Sequence, residues 1–196
     1  MQALVVIAHP LKDSFNHVIA ERIAERLKAS NYTVHFHDLY EQAFDPVLTS
    51  EEMKRKFSLD AGIQIHYESL ESSDILVFVH PDWWGAPPAI LKGWIDRVFS
   101  PGIAYDYEGA EFMVKDKIPL LTGKKAGVFI TSNQEKFDSA LINLRHFWLK
   151  QVLQFCGIAD PVCEIFYDIR HSTFAQRQEW MDKIDGIITS FTKEVC

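Results

Sequence analysis

Five short runs rich in β-branched and other apolar residues, separated by longer amphipathic stretches, constrain this chain more than any other feature. The runs are "ALVVIAHP" (3–10), "TVHFHDL" (33–39), "DILVFVHP" (74–81), "KAGVFIT" (125–131) and "VCEIFYDI" (162–169). Apolar runs of this length bounded by turn residues are strand signals, and those without polar alternation belong to strands covered on both faces. The stretches between them repeat apolar residues at helical spacing: Phe15, Val18, Ile19, Ile23 and Leu27 in one, Ile90, Leu91, Trp94, Ile95 and Val98 in another. Residues 139–157 read as a helix closing on Gly157, and residues 173–195 as a last helix carrying Trp180, Ile184, Ile187, Ile188 and Phe191. Such alternation spells a doubly wound parallel α/β sheet, and right-handed crossovers make 2-1-3-4-5 the simplest order for five strands. Strands two and four are less purely apolar than one and three, which places them nearer the edges.

No repeat, low-complexity tract or Pro/Gly linker divides the 196 residues, so one domain spanning 1–196 is expected. The net charge of -7 disfavours nucleic acid as a partner, because phosphate contacts need clustered Lys and Arg. Apolar runs of this kind fall far short of the roughly 20 residues that span a bilayer, so no membrane insertion is expected. With no basic leader at the start, the chain reads as cytoplasmic. Cys156, Cys163 and Cys196 lack metal or redox spacing, Cys156 reads as core packing, and the eight histidines form no HExxH; no metal site is expected.

In a sheet of this order the ligand crevice lies beyond the carboxyl ends of the strands, beside strand one. Three loops meet there. In "AHPLKDSFNHV" a strand ends at His9-Pro10 and a helix starts near Ser14, with Ser14 or Asp13 as its cap. Free N–H groups at a helix start favour phosphate, and His9, Lys12, Ser14 and Asn16 add donors. A capped helix with nothing bound is the plainer alternative. In "HPDWWGAPP", Pro81, Gly85, Pro87 and Pro88 fix a turn, and Pro88 suits a helix start. The adjacent Trp83 and Trp84 cannot both face the core, so one is expected to line the crevice as a wall for a planar ring. In "TSNQEKFD", Thr131, Ser132 and Asn133 offer hydroxyls and an amide.

The segments "HPLKDSFN" (9–16), "DLYEQAFDPVL" (38–48), "PDWWGAPPAILKGWIDRVFSPGIAY" (81–105) and, more weakly, "QFCGI" (154–158) and "YDIRHSTFAQR" (167–177) run in order through most of the chain. Together they resemble the NAD(P)H:quinone oxidoreductase (DT-diaphorase-like) family, flavoenzymes of flavodoxin-like fold. The resemblance implies that Pro81, Asp82, Trp83, Trp84 and Gly85 hold a flavin ring, largely through backbone groups. It places His9, Phe15 and Asn16 at the flavin phosphates, where the donor reading adds Ser14, and Thr131, Ser132 and Asn133 near the pyrimidine edge. Arg177 matches a position used at the adenine end of FAD; FAD is thus implied, with FMN the alternative. Tyr105 and Tyr107 match aromatic residues that cover the substrate and nicotinamide pocket across a homodimer. The chain has "TSNQ" where the family often has "TTGG", and the Tyr and His of some members fall nearest Phe137 and His146.

The activity implied is ping-pong transfer of hydride from NAD(P)H to a quinone or similar acceptor. No catalytic side chain is singled out, which fits the absence of GxSxG or a Cys/His signature. Two other roles share the fold: an ancillary regulatory subunit of a potassium-efflux system, and a one-electron flavodoxin-type carrier. Against the carrier, "AYDYEGAEFMVKDK" reads as a lid over the ring.

Overall fold

The computed structural model describes residues 1–108, 116–135 and 138–193. Phe137 and Cys196, and the middle of the expected lid at 109–115, lie outside the described residues. Five strands form one parallel sheet: β1 (Gln2–Ile7), β2 (Thr33–Asp38), β3 (Ile75–Pro81), then β6 (Lys125–Thr131) and β7 (Val162–Phe166). Their order β2-β1-β3-β6-β7 is the expected 2-1-3-4-5. The second of the five runs occupies an edge, whereas the fourth, β6, sits between two strands and is buried along nearly its whole length.

Side-chain alternation divides the core into two layers. Ala3, Val5 and Ile7 of β1 and Ile75, Val77 and Val79 of β3 face α1 (Phe15–Ala29) and α6 (Phe174–Thr192) through Ile19, Ile23, Leu27, Ile184 and Ile188. Leu4, Val6, Leu76, Phe78, Val128 and Ile130 face the other way, onto α3 (Ala61–Ser72), α4 (Ala89–Val98) and α5 (Ser139–His146). A strand covered on both faces needs no polar alternation, which is why these read as unbroken apolar runs.

Several elements differ from expectation. Residues 49–72 carry α2 (Ser50–Arg55), held by a Thr49/Glu52 capping box, and α3. A two-stranded antiparallel hairpin, β4 (Tyr105–Glu108) and β5 (Asp116–Pro119), stands outside the main sheet. The helix expected over 139–157 changes character at Phe147, continuing as a π-helix over Phe147–Leu153. Gly157 then takes φ 104, as expected of a residue ending a helix. Cys156 and Cys163 are buried, and burial pushes both thiols up to about 12, so neither is a nucleophile. Among the described residues, no helix is long and apolar enough to cross a membrane, and no group of three His, Cys, Asp or Glu could hold a metal.

Candidate active site

The loops after β1, β3 and β6 close on a cleft of about 230 Å³ at the carboxyl edge of the sheet. Its lining joins His9, Ser14, Phe15 and Asn16 to Pro81, Asp82 and Trp83, to Thr131, Ser132 and Asn133, and to Ile169. Ile169 escaped the sequence reading because an aliphatic residue in a short 3-10 turn after β7 carries no chemical signature.

At the first loop Ser14, not Asp13, caps α1, its Oγ accepting from the His17 N–H at 3.4 Å. The N–H groups of Phe15 and Asn16, at the first two helical positions, have no intrahelical acceptor, the arrangement that favours an anion. Lys12 turns away from the cleft into an ion pair with Glu41. The Leu11 backbone holds His9 Nδ1, its N–H donating at 3.1 Å, and burial lowers the His9 pKa.

Buried hydrogen bonds lock the three loops together. Asn16 Nδ2 donates to Thr131 Oγ1 at 2.9 Å, and Thr131 Oγ1 donates back to Asn16 Oδ1 at 3.2 Å. Asp82 joins the second loop to the third: its N–H donates to the Thr131 carbonyl at 2.7 Å, and its Oδ2 accepts from Ser132 Oγ at 2.9 Å. Asp82 Oδ1 accepts from the Gly85 N–H at 2.8 Å, shaping the turn. Asn133 Oδ1 accepts from the Arg170 N–H at 3.1 Å, tying the third loop to the segment after β7.

The tryptophan turn is a two-residue reversal. Trp83 and Ala86 exchange backbone hydrogen bonds, while Trp84 and Gly85 between them take φ 60 and 73. Positive φ at both central positions is the tight hairpin-turn geometry, and for a residue as bulky as Trp it is an outlier. The result splits the pair: Trp83, 40% exposed, lines the cleft, whereas Trp84 is 103% exposed and points to solvent. Gly85 lies behind the turn, where an added Cβ would meet Ala140 Cβ at 2.9 Å.

Beneath this turn, His80 is fully buried. Its Nε2 accepts from Trp148 Nε1 and its Nδ1 donates to the Pro81 carbonyl, both at 2.8 Å, so the ring is neutral with the proton on Nδ1. Trp148 reaches it from the π-helix, a distortion frequent at functional sites. Burial lowers the His80 pKa from 6.5 to about 4, against the opposing pull of the Pro81 bond. The unfolded chain therefore takes up a proton that the folded one refuses between those values. This part of the stability is complete above pH 6.5 and is lost as pH falls toward 4. His80 should account for about 2 kcal/mol of the stability lost between pH 6.5 and about pH 5 in urea titrations, and the loss should be smaller by that amount in His80→Phe. An unchanged pH slope in that variant would assign the loss elsewhere; His66, lowered to about 3 by burial and by His37 and Arg97, acts in the same direction.

Arg177 does not line the cleft. It lies behind it, with Cζ 5.2 Å from the Phe15 ring centroid and Nη2 donating to the Ile169 carbonyl at 3.2 Å. Tyr105 and Tyr107 are also elsewhere, in a groove of about 510 Å³ with Met53, Phe57, Arg97 and Ser100. Ser100 Oγ, buried there, has no hydrogen-bond partner.

Residues 1–186 match the family model described as flavodoxin-like fold. An uncharacterized NAD(P)H oxidoreductase of Haemophilus influenzae is 35% identical over 86% of this chain and 85% of its own. The chain belongs to the flavodoxin-like NAD(P)H oxidoreductases. Within that family, NAD(P)H dehydrogenase [quinone] 1 of Cavia porcellus is 29% identical over 95% of this chain and 77% of its own. The structure of an NAD(P)H:quinone oxidoreductase from Methanothermobacter marburgensis superposes with a TM-score of 0.82 at 25% identity, covering 100% of this chain and 99% of the other.

Proposed function

We propose that this flavodoxin-like oxidoreductase binds FAD, with FMN the alternative, and passes hydride from NAD(P)H to a quinone or related acceptor in a ping-pong cycle. The observation that carries the reading is the convergence in one cleft of a helix N-terminus with free N–H groups, an aromatic wall and a set of neutral hydrogen-bonding groups. That donor set fits a phosphate at one end and a planar heterocycle with polar edges at the other. Bound there, the flavin supplies two-electron storage, accepting hydride from the nucleotide and giving it to the acceptor.

In this reading Ser14 and the Phe15 and Asn16 amides hold phosphate, Trp83 flanks the ring, and Thr131, Ser132 and Asn133 meet its polar edge. Asp82, tied to Ser132 and Gly85, fixes the turn and transfers no proton. Arg177 reaches the adenine end from behind Phe15. A second copy of the chain completes the site, bringing Tyr105 and Tyr107 over the cleft from a groove that in one chain stands apart from it. A cytoplasmic homodimer is the form proposed.

The test is the visible spectrum of protein reconstituted with FAD or FMN, followed without air through addition of NADH or NADPH and then a benzoquinone. Bleaching by nucleotide and recovery with quinone are expected. Failure to retain flavin would overturn the reading, and retained flavin that no nucleotide reduces would favour the carrier or the regulatory subunit.

A further inference from the structure

Ser14 belongs to a hydrogen-bond chain that the flavin reading leaves unused. Its Oγ lies 2.9 Å from His17 Nδ1, and His17 Nε2 lies 3.0 Å from Asp38 Oδ2. His17 and Asp38 are both buried, whereas Ser14 opens onto the cleft. Asp38 Oδ1 accepts from the N–H groups of Tyr40 and Glu41, both at 3.1 Å, leaving Oδ2 to accept from the imidazole. Nε2 therefore carries a proton. In a neutral ring Nδ1 is then an acceptor, and the Ser14 hydroxyl proton points at it, away from the cleft.

An incoming phosphate oxygen needs that hydroxyl proton. Once Ser14 Oγ–H turns to the phosphate, Nδ1 faces an oxygen lone pair with no hydrogen between them. One proton taken from solvent onto Nδ1 repairs the chain: Nδ1–H donates to Ser14 Oγ, Oγ–H donates to phosphate, and Asp38 faces an imidazolium. No covalent bond changes except the new N–H. Asp38, at the end of β2, and the His9 ring, 6.4 Å away and edge-on, face this imidazole; Asp13 lies near His9, and the Lys12–Glu41 pair near Asp38.

We infer that Ser14, His17 and Asp38 form a proton-linked anion site, so that binding the flavin phosphate takes up one proton at His17. The inference rests on the flavin reading and adds to it a pH-dependent cofactor affinity. FAD is the probe, since its diphosphate diester has no proton of its own to exchange near neutrality. Calorimetry at about pH 7.5 in buffers of different ionisation enthalpy should return close to ~1 proton taken up per FAD, with affinity falling up to about tenfold per pH unit above neutrality.

The His17→Gln protein should bind FAD with uptake near zero and a flat pH dependence. Asp38→Asn, which can receive the Nε2 lone pair and so release Nδ1–H to Ser14 from the start, should also bind without uptake. In His9→Gln the uptake should remain, at whatever affinity that variant has. FAD binding to the parent protein without uptake, or equal uptake in the His17 and Asp38 variants, would overturn the linkage alone; uptake lost only in His9→Gln would move the proton to His9 and overturn it as well. No FAD binding by the parent protein would remove the flavin reading and the linkage together.

Discussion

Arg97→Met is expected to lower folding stability by about 3–5 kcal/mol, because it leaves a buried carboxylate without its partner. Arg97 and Glu52 are both buried, with Arg97 Nη2 and Nε donating to Glu52 Oε1 at 2.7 and 3.2 Å and Nη1 to the Asp45 carbonyl at 2.6 Å. Burial alone would raise the Glu52 carboxyl; hydrogen bonds from Arg97, Ser58 and Thr49 outweigh it and hold the pKa at about 2. Methionine matches the length of the arginine stem but supplies no donor. The double variant Arg97→Met/Glu52→Leu should recover much of the loss, since the cost lies in the orphaned charge more than in the absent bond. Urea denaturation of the two proteins decides the matter, and equal stability of Arg97→Met and parent would show that water reaches Glu52. Since both residues line the groove of Tyr105 and Tyr107, the single variant should also loosen the surface that carries them.

Gly93→Ala should be nearly as damaging, at about 4 kcal/mol, although Gly to Ala within a helix ordinarily stabilises. An added Cβ at Gly93 would overlap the carbonyl oxygen and Cβ of Pro46 and come within 2.6 Å of its Cα. Backbone that close has no rotamer with which to yield, so α4 must move off the 45–46 segment, and Arg97, one turn further along α4, must move with it. Gly186, in α6, provides the contrast. A Cβ there meets nothing within 4 Å, so Gly186→Ala should raise stability by about 0.5–1 kcal/mol. Thermal melts of the pair should shift in opposite directions, and a rise for Gly93→Ala would mean that α4 and Pro46 part readily.

The parallel sheet was legible in the sequence because burial on both faces leaves an apolar run with sharp ends. The helix α3 was not, since its inward face is written with His66 and Tyr67 beside Ile63 and Leu70, polar letters that are here hydrogen-bonded within the core. The hairpin strands escaped because "YDYE" and "DKIP" are short and largely exposed, and the alternation of Tyr with acidic residues in the first is too brief to mark a strand. The cleft residues at the ends of β1, β3 and β6 were within reach, since strand order and loop chemistry point to the same edge. The partnerships beneath them were not: His17 with Asp38 and Arg97 with Glu52 join residues 21 and 45 apart, and only the fold brings them together. Trp84 and Lys12 show the limit of reading side chains from residue type, because backbone torsion turns one outward and an ion pair draws the other aside.

The order of the sheet also dictates how the chain must come together. No two of its five main strands pair through a tight turn; Ala3 waits for Ile75, Val77 for Gly127, and Gly127 for Val162. During synthesis β3, buried at all seven positions in the finished molecule, is an open edge until residues 125–131 emerge. A nascent chain stopped short of β6 would display β3 paired with β1 on one side only, its other edge open along the apolar run Ile75–Val79, the kind of edge that recruits other chains. For this protein the hazard of misassembly is concentrated in one interval of its own translation.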